Sequence, residues 1–329
     1  MKILLAGAGS IGKRHLQNLL ALGYNNISVI TSSILPLELS HLNTFKTFAE
    51  AFDRQSFDTA FICTPTSKHI AGLFELLHQK VENIYIEKPL SHNGENIQAV
   101  LDLAASYGNN IVVGYDLHFD PGIQRVRELI QQNIIGKIVS VNAFVGQYLP
   151  HWRPNEDHRK GMSARRETGG GVLLDIVHEF DYLCWLTGKV EAVAAWYLNS
   201  GTLEIETEDS ADVLLKFSGG ATGCVHLDYL QQSMIRYFIL TGTKGTITCN
   251  LANKSVNWIT EKGITGEFTY TAFERNDRFK AIIQTFLENK KDERLTSLQD
   301  ALQSLQVVLA AKYSSDNSCI VNMANFKYR

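Results

Sequence analysis

Two groups of side chains in this sequence suit proton chemistry. Glu87-Lys88-Pro89 sets an ammonium beside a carboxylate ahead of a proline, and Asp175 stands three residues before His178. An imidazole beside a carboxylate has the pairing of a general base, with the acid fixing tautomer and orientation. A helix N-terminal acid next to a satisfied core histidine would leave the same letters. Lys88 follows the apolar run from Asn83 to Glu87, which predicts a strand. Ligands of open α/β sheets gather at the carboxyl ends of strands, so Lys88 stands where it would touch a substrate. A solvated lysine before a rigid turn is the other reading.

A third group acts through its lack of side chains. Gly7, Gly9 and Gly12 follow the apolar run Ile3 to Ala6 with the spacing G-x-G-x-x-G, and Leu16, Leu19, Leu20 and Leu22 then recur at helical intervals. Strand, glycine turn and helix in that order suit a dinucleotide. The first glycine makes the tight turn, the second admits the pyrophosphate, and the third lets helix and strand close together. The helix start at Ser10 and Ile11 then offers its unpaired N–H groups to the anion. A second strand, Ile27 to Ile30, ends in Thr31-Ser32-Ser33 with no acid for an adenosine ribose. Hydroxyls at Thr31 and Ser32 suit a 2′-phosphate, which leans the expected cofactor toward NADP over NAD, with Lys13 and Arg14 as the cations near in sequence.

The stretch from Gln147 to Glu167 carries Arg153, Arg159, Lys160, Arg165 and Arg166 against Glu156, Asp157 and Glu167, with Tyr148 and Trp152 interleaved. Long polar loops in compact domains are uncommon unless functional or disordered. Aromatic faces and guanidinium forks suit a sugar, a phosphate or a carboxylate, so Tyr148, Trp152, Arg153, Arg165 and Arg166 are candidate substrate contacts. A merely solvated loop is the alternative. Gly169-Gly170-Gly171 then opens a helical pattern from Val172 to Leu186, which would put Asp175 and His178 on one face.

The elements that must position these residues fall into two patterns. Strands at Ile3 to Ala6, Ile27 to Ile30, Phe57 to Cys63, Asn83 to Glu87 and Ile111 to Gly114 alternate with helices, including Ile70 to Gln79 and Glu95 to Tyr107. That alternation predicts a doubly wound parallel sheet of Rossmann type over residues 1–119. After Asp120-Pro121-Gly122 a helix, Ile123 to Gln132, leads into strands at Ile138 to Val145, Val190 to Leu198, Ala211 to Phe217, Thr222 to Tyr229, Tyr237 to Gly242 and Gly245 to Asn250. Gly219-Gly220 and Thr243-Lys244 read as hairpin turns. Residues 120–329 are therefore expected to form an α+β domain with a largely antiparallel open sheet, closed by helices Arg278 to Asn289 and Leu298 to Ser314.

A length of 329 residues makes two domains the default. Lys and Arg (31) nearly balance Asp and Glu (34), a net charge of −3 that points to neither nucleic acid nor an acidic membrane. The five cysteines are scattered and never spaced C-x-x-C, which argues against a disulfide framework or a metal site and fits a reducing cytoplasm. The apolar start stops at Gly7 and meets Lys13 and Arg14, so it is not a signal peptide, and no stretch has the length of a membrane span. A cytoplasmic protein is expected.

Several marks occur together in one order: Gly7 to Gly12, Cys63-Thr64-Pro65-Thr66 followed by His69, Glu87-Lys88-Pro89, Tyr115-Asp116-Leu117-His118-Phe119-Asp120-Pro121, and Gly169 to Asp181. Together they resemble the Gfo/Idh/MocA family, the relatives of glucose–fructose oxidoreductase and inositol dehydrogenase. Tyr148-Leu149-Pro150 through Ala164-Arg165-Arg166 looks like members found with bacterial surface-sugar biosynthesis, including nonulosonate pathways. The resemblance implies an NAD(P)-dependent oxidoreductase without metal, acting on a hydroxyl of a sugar, nucleotide sugar or sugar acid. It implies cofactor contacts from Thr64, Pro65, Thr66, His69, Glu87 and Lys88. His178 would be the base, with Lys88 on the reacting hydroxyl and Asp175 in support. It also implies a homodimer or homotetramer built through the C-terminal sheet. Two departures stand out: many members space the Asp and His four apart, and the family's Tyr-Asn-Leu-Arg-Phe-His-Pro here has Asp116, His118 and Asp120. The alternatives are an enzyme that recycles a tightly held cofactor during elimination or hydrolysis, and a non-catalytic NADP-binding sensor or scaffold.

Overall fold

A computed structural model describes residues 1–327. The chain begins β1 (Ile3–Ala6), α1 (Ser10–Ala21), β2 (Ile27–Ile30), β3 (Asn43–Phe45), α2 (Phe48–Arg54) and β4 (Thr59–Ile62). It continues with α3 (His69–His78), β5 (Asn83–Ile86), α4 (Ile97–Tyr107) and β6 (Asn110–Val113). Then follow α5 (Pro121–Gln131), β7 (Ile138–Gly146), α6 (Val172–Asp175), α7 (His178–Thr187), β8 (Val190–Leu198), β9 (Ser210–Phe217) and β10 (Thr222–Asp228). After them come β11 (Ile235–Gly242), β12 (Gly245–Asn250), β13 (Ser255–Thr260) and β14 (Thr265–Thr269). The last elements are α8 (Arg275–Glu288), β15 (Thr296–Ser297), α9 (Leu298–Asn317) and β16 (Val321–Asn322).

These elements form two compact units. The first comprises Met1–Asp116 and Arg275–Ala301; the second comprises Leu117–Glu274 and the chain from Leu302 onward. The partition expected between residues 119 and 120 thus falls at 116/117, and residues 275–301 return to the first unit. In that unit, α8 packs on α1, with the Asn18 and Asn276 amides bonded to each other at 2.8 and 3.2 Å, and β15 extends the sheet beside β6.

Among the described residues, the first unit's sheet has the order β15-β6-β5-β4-β1-β2-β3, with β15 alone antiparallel. Without β15 this is the doubly wound order 3-2-1-4-5-6, whose chain reversal lies between β1 and β4. All four residues of β1, β4 and β5 are buried, as strands covered by helices on both faces must be. The strand Asn43–Phe45 and the helix Phe48–Arg54 are absent from the sequence reading. The strand is three residues long, sits at the sheet edge and is largely exposed, so it lacks the apolar run of a buried strand.

The second unit's sheet has the order β14-β13-β12-β11-β7-β10-β9-β8-β16. It is antiparallel except where β7 and β10 run parallel at its centre. Both expected hairpins are present, β9–β10 around Gly219-Gly220 and β11–β12 around Thr243-Lys244. Side chains alternate cleanly. Val213, Leu215, Val225, Phe238 and Leu240 face the core, while Trp196 (63% exposed), Leu198, Leu214 and Ile259 lie on the outer face. The pattern read as one helix from Val172 to Leu186 is broken. Asp175 ends α6, Ile176 leaves helical geometry (φ −101°, ψ 31°), and α7 begins at His178. Two adjacent β-branched residues, Ile176 and Val177, stand at the break, where helix propensity is low and both are buried.

Phe286 of α8 is fully buried, with its ring edge-on to Phe61 and Tyr85 at 5.7 Å each. Phe286→Ala is expected to cost about 3–5 kcal/mol through transfer and cavity terms. Guanidinium unfolding followed by hydrogen exchange in α8 and β4 checks this; a loss under about 1 kcal/mol would mean that the α8 return contributes little to the first unit.

Candidate functional site

In the first unit the glycine loop lies at the β1/β4 reversal. Gly7 has φ +99°, and a Cβ on it would stand 2.6 Å from the Cys63 carbonyl oxygen; a Cβ on Gly12 would fall on the Gly7 carbonyl. A Cβ on Gly9, in contrast, would meet nothing within 4 Å. Gly9 is the N-cap of α1, no side chain caps that end, and no acid stands in its first turn. The uncapped first-turn N–H groups therefore stand next to the open space at Gly9, the arrangement that receives a phosphate. A dinucleotide's pyrophosphate fits this cradle on backbone geometry alone.

Beyond Ile30 the structure separates the hydroxyls that pointed to NADP. Thr31 is buried, and its Oγ1 accepts from the Ser33 N–H at 3.0 Å, closing a local turn, while Ser32 and Ser33 are exposed. Arg14 lies over the Phe279 ring at 4.8 Å, and Lys13 is exposed. Thr64 follows β4, and Thr66 is buried in the short 3₁₀ turn Thr66–Lys68. His69, fully buried at the start of α3, has Nδ1 2.8 Å from the Pro89 carbonyl and Nε2 3.0 Å from the Thr64 carbonyl. Burial holds its pKa below the ordinary histidine value, against the pull of those two carbonyls and of Glu87. Glu87 is itself buried, with Oε1 2.5 Å from His15 Nε2. Among the described residues from Asn83 to Ser91, Lys88 alone is not fully buried.

The second unit holds the other chemistry. Among the described residues from Gly169 to Leu183, Asp175 and His178 are the two that are not fully buried. Tyr229, 54 positions on in sequence, donates its phenolic hydrogen to Asp175 Oδ2 at 2.6 Å. Burial, and then the Asp175 carboxylate, pushes the Tyr229 phenol well above its ordinary pKa, so it stays protonated and remains a donor. The Trp152 ring meets the Tyr229 ring edge-on at 5.4 Å, and its Nε1 is buried with no hydrogen-bond partner among the described residues. Asp175, Tyr229 and Trp152 thus form one cluster. Sequence spacing brought out Asp175 and Trp152 and missed Tyr229, because that pairing arises only when β10 meets α6. Beside His178, the fully buried Glu179 accepts two hydrogen bonds from Arg236 at 2.8 and 3.0 Å.

The glycine triplet serves close packing. A Cβ on Gly170 would collide with the Met162 and Ser163 carbonyls, and one on Gly171 (φ +109°) with the Glu208 carboxylate. This approach fastens the loop from 147 to 167, a run of short 3₁₀ turns, onto the start of α6. Its cations are partly engaged. Arg159 forks onto Asp157 at 2.9 and 3.1 Å and also reaches Glu204 at 2.8 Å, holding the Asp157 carboxyl down at about 2. Arg165 lies 3.5 Å from Glu167, Arg153 lies 3.9 Å from Glu156, and Arg166 donates to the Glu206 carbonyl at 3.0 Å. Tyr148 meets the His151 ring edge-on at 4.9 Å.

The three departures in the segment from Tyr115 to Pro121 each have a partner. Asp116 pairs with Arg278 at 2.9 Å in the first unit. In the second unit, His118 Nε2 lies 2.8 Å from Asp181 Oδ2, with the His118 ring stacked on Trp185 at 4.1 Å. Asp120 caps α5 through the Gly122 N–H at 2.9 Å and accepts from the Tyr270 hydroxyl at 2.8 Å. Among the described residues, no three His, Cys, Asp or Glu side chains are placed to hold one metal ion. No helix among them is long and apolar enough to cross a membrane.

Comparison with known proteins agrees with this geometry. Residues 1–115 match the family model described as "Oxidoreductase family, NAD-binding Rossmann fold", and residues 123–248 match "GFO/IDH/MocA C-terminal domain". Myo-inositol 2-dehydrogenase of Thermotoga maritima is 24% identical, with 98% of each chain covered. The rhizopine catabolism protein MocA of Rhizobium meliloti is 26% identical over 68% of this chain and 69% of that protein. The fold of a levoglucosan dehydrogenase solved in complex with NADH superimposes with a TM-score of 0.84 at 19% identity, covering 98% of this chain and 99% of that one. With both halves matched by its models and its fold shared from end to end, the chain belongs to the Gfo/Idh/MocA family of NAD-binding oxidoreductases.

Proposed function

We propose that the protein is an NAD-dependent dehydrogenase or reductase acting on a secondary hydroxyl of a sugar or cyclitol. The observation that carries this reading is the surfacing of Lys88, Asp175 and His178, and of no neighbouring residue, from two otherwise buried stretches. A purely structural lysine or histidine has no need of such an opening. The glycine cradle at Gly7, Gly9 and Gly12, with Ser10 and Ile11, would hold the pyrophosphate; Thr64, Pro65, Thr66 and Lys88 would lie along the nicotinamide half. When bound, the nicotinamide supplies the hydride acceptor or donor. His178 takes the proton of the substrate hydroxyl in the oxidative direction and returns it in the reductive one. The Lys88 ammonium would stabilise developing negative charge on the reacting oxygen. Asp175, fixed by the Tyr229 hydroxyl, sets the orientation of the substrate beside His178.

NAD is the cofactor of this proposal. The Thr31 hydroxyl is spent on its own turn and Arg14 on Phe279, which leaves Ser32 and Lys13 as the support for a 2′-phosphate. Trp152, whose indole N–H has no partner among the described residues, and Tyr148 would contact the sugar; Arg153, Arg165 and Arg166 would lie beside its anionic group where it carries one, as a nucleotide sugar or surface-sugar acid does. The outer sheet face bearing Trp196, Leu198, Leu214 and Ile259 supports association of two copies.

His178→Ala is expected to lower kcat by about 10²- to 10⁴-fold on the true substrate while NADH binding persists. Nicotinamide absorbance over a panel of polyols, nucleotide sugars and sugar acids, run with NAD and NADP separately, reads the result. Near wild-type turnover in that variant would remove His178 as base, and turnover without stoichiometric reduced cofactor would favour a recycling enzyme. Tyr229→Phe is expected to lower kcat about tenfold or more through Asp175, with NADH affinity unchanged; steady-state kinetics beside fluorescence titration separates the two. Trp196→Glu is expected to lower the sedimentation mass of the wild-type species to that of one chain, and an unchanged mass would exclude the outer sheet face.

A further inference from the structure

Lys88 has a flexible four-carbon stem, so its aim depends on the backbone that carries it. Its two neighbours are held by buried imidazoles from two different helices, Glu87 through its side-chain carboxylate and Pro89 through its backbone carbonyl. On the N-terminal side, His15 of α1 is fully buried, with Nε2 2.5 Å from Glu87 Oε1. Its ring is enclosed by Tyr85 (5.2 Å), Phe279 (5.9 Å) and Phe61 (6.0 Å). Gly114 leaves the room this contact needs, since a Cβ there would approach the Tyr85 hydroxyl to 2.5 Å and Glu87 Oε1 to 3.1 Å. On the C-terminal side, His69 of α3 is fully buried and spans the Pro89 and Thr64 carbonyls at 2.8 and 3.0 Å. The Glu87 N–H donates to the Ile62 carbonyl at 2.9 Å, which continues the strand ladder up to this point.

We propose that His15 and His69 are positioning residues for Lys88, clamping Glu87 and Pro89 so that the ammonium between them keeps a fixed aim. The cost of the arrangement argues for a role beyond stability. A buried imidazole–carboxylate pair must be desolvated, and an apolar pair of the same volume would stabilise a core at least as well. His69 carries the same signature. A neutral imidazole has a single N–H, so it can donate to one of two carbonyls only, and an apolar side chain would avoid the conflict. The clamp also joins the two ends of the cofactor cradle, because His15 lies on the helix that the glycine loop opens. The proposal rests on the reading of Lys88 as the group that faces the reacting hydroxyl.

The test uses the full chain and the variants His15→Gln, His69→Gln, Glu87→Gln and Lys88→Ala, alone and paired with Lys88→Ala. With the clamp in operation, His15→Gln and His69→Gln each lower kcat about 10- to 100-fold, the scale of a small misplacement at a reacting centre. The NADH dissociation constant, from fluorescence titration, moves less than about threefold, and on the Lys88→Ala background the same changes lower kcat no more than about twofold further. Full activity in both histidine variants overturns the proposal. Equal losses with and without Lys88 also overturn it, since general destabilisation would be additive. Should the histidine variants fail to fold, Glu87→Gln, which keeps the volume and one acceptor oxygen, carries the same comparison. If Lys88→Ala itself retains kcat, the reading of Lys88 falls, and the clamp is judged by hydrogen exchange over residues 84–92: faster exchange in His69→Gln sustains it, and unchanged protection ends it.

Discussion

The near-contact of two backbones at Gly7 and Cys63 is the constraint on which the first unit depends. β1 and β4 are neighbours at the point where the sheet order reverses, so the chain leaving β1 turns toward α1 and the chain leaving β4 turns toward α3. A side chain at Gly7 would collide with the Cys63 carbonyl, and one at Gly12 with the Gly7 carbonyl. Only with both absent do the two turns come together and leave Gly9 facing open space. The Thr64–His69 turn is thereby fixed beside the cradle, and the β5 end carrying Lys88 follows one strand further along. One steric requirement thus sets where the glycine turn, the buried His69 and Lys88 lie.

A second regularity runs through both units: buried carboxylates paired with a basic side chain sit next to the residues read as chemical. Glu87, paired with His15, precedes Lys88. Glu179, forked onto Arg236, follows His178, and Asp181, paired with His118, lies one helical turn further along α7. Removing one member of such a pair leaves a buried charge alone and costs about 3–5 kcal/mol, whereas replacing both by apolar groups is often neutral. Pairs of this kind therefore add little net stability, but they fix the chain direction where it carries them. A working side chain whose neighbour is pinned in this way loses less freedom on meeting its substrate, which is what preorganisation requires. The departure at His118 fits the same logic: its imidazole meets Asp181 and adds a stacking surface on Trp185.

What the sequence made legible was local. The alternation of apolar runs and helical periods located β1, β2, β4, β5 and β6 within about two residues, and the glycine turns located two hairpins. Asn43–Phe45 escaped because an exposed edge strand of three residues has no periodic signal. Ser255–Thr260 and Thr265–Thr269 escaped because their exposed, mixed side chains read as loop. The return of residues 275–301 to the first unit is a matter of chain path, and α8 looks like any amphipathic helix until its partner α1 is known. The candidate site divides the same way. Gly7, Gly9, Gly12, Lys88, Asp175 and His178 were legible by type and spacing, whereas Tyr229 and His15 gain meaning only from partners 54 and 72 positions away.

The loop from 147 to 167 shows why charge counted along a chain is a poor guide to substrate. Five cations against three acids suggested an anionic sugar, but the count ignored carboxylates and carbonyls that folding brings in from residues 204–206. Arg159 already serves two carboxylates, and Arg165 and Arg153 lie beside one each. Exposed pairs of this kind are worth little, about 0–1 kcal/mol, so a substrate anion could displace one of these acids at small cost. It would gain correspondingly little over the acid it displaced. On the proposed function, the discriminating group in this loop would be Trp152, whose partly buried ring packs on Tyr229 and whose indole N–H has no acceptor among the described residues. An unpaired buried donor rejects a ligand that cannot accept from it far more strongly than an exposed guanidinium selects one that can. On that proposal, specificity would follow the position of a hydroxyl or carbonyl oxygen on a ring, ahead of net charge.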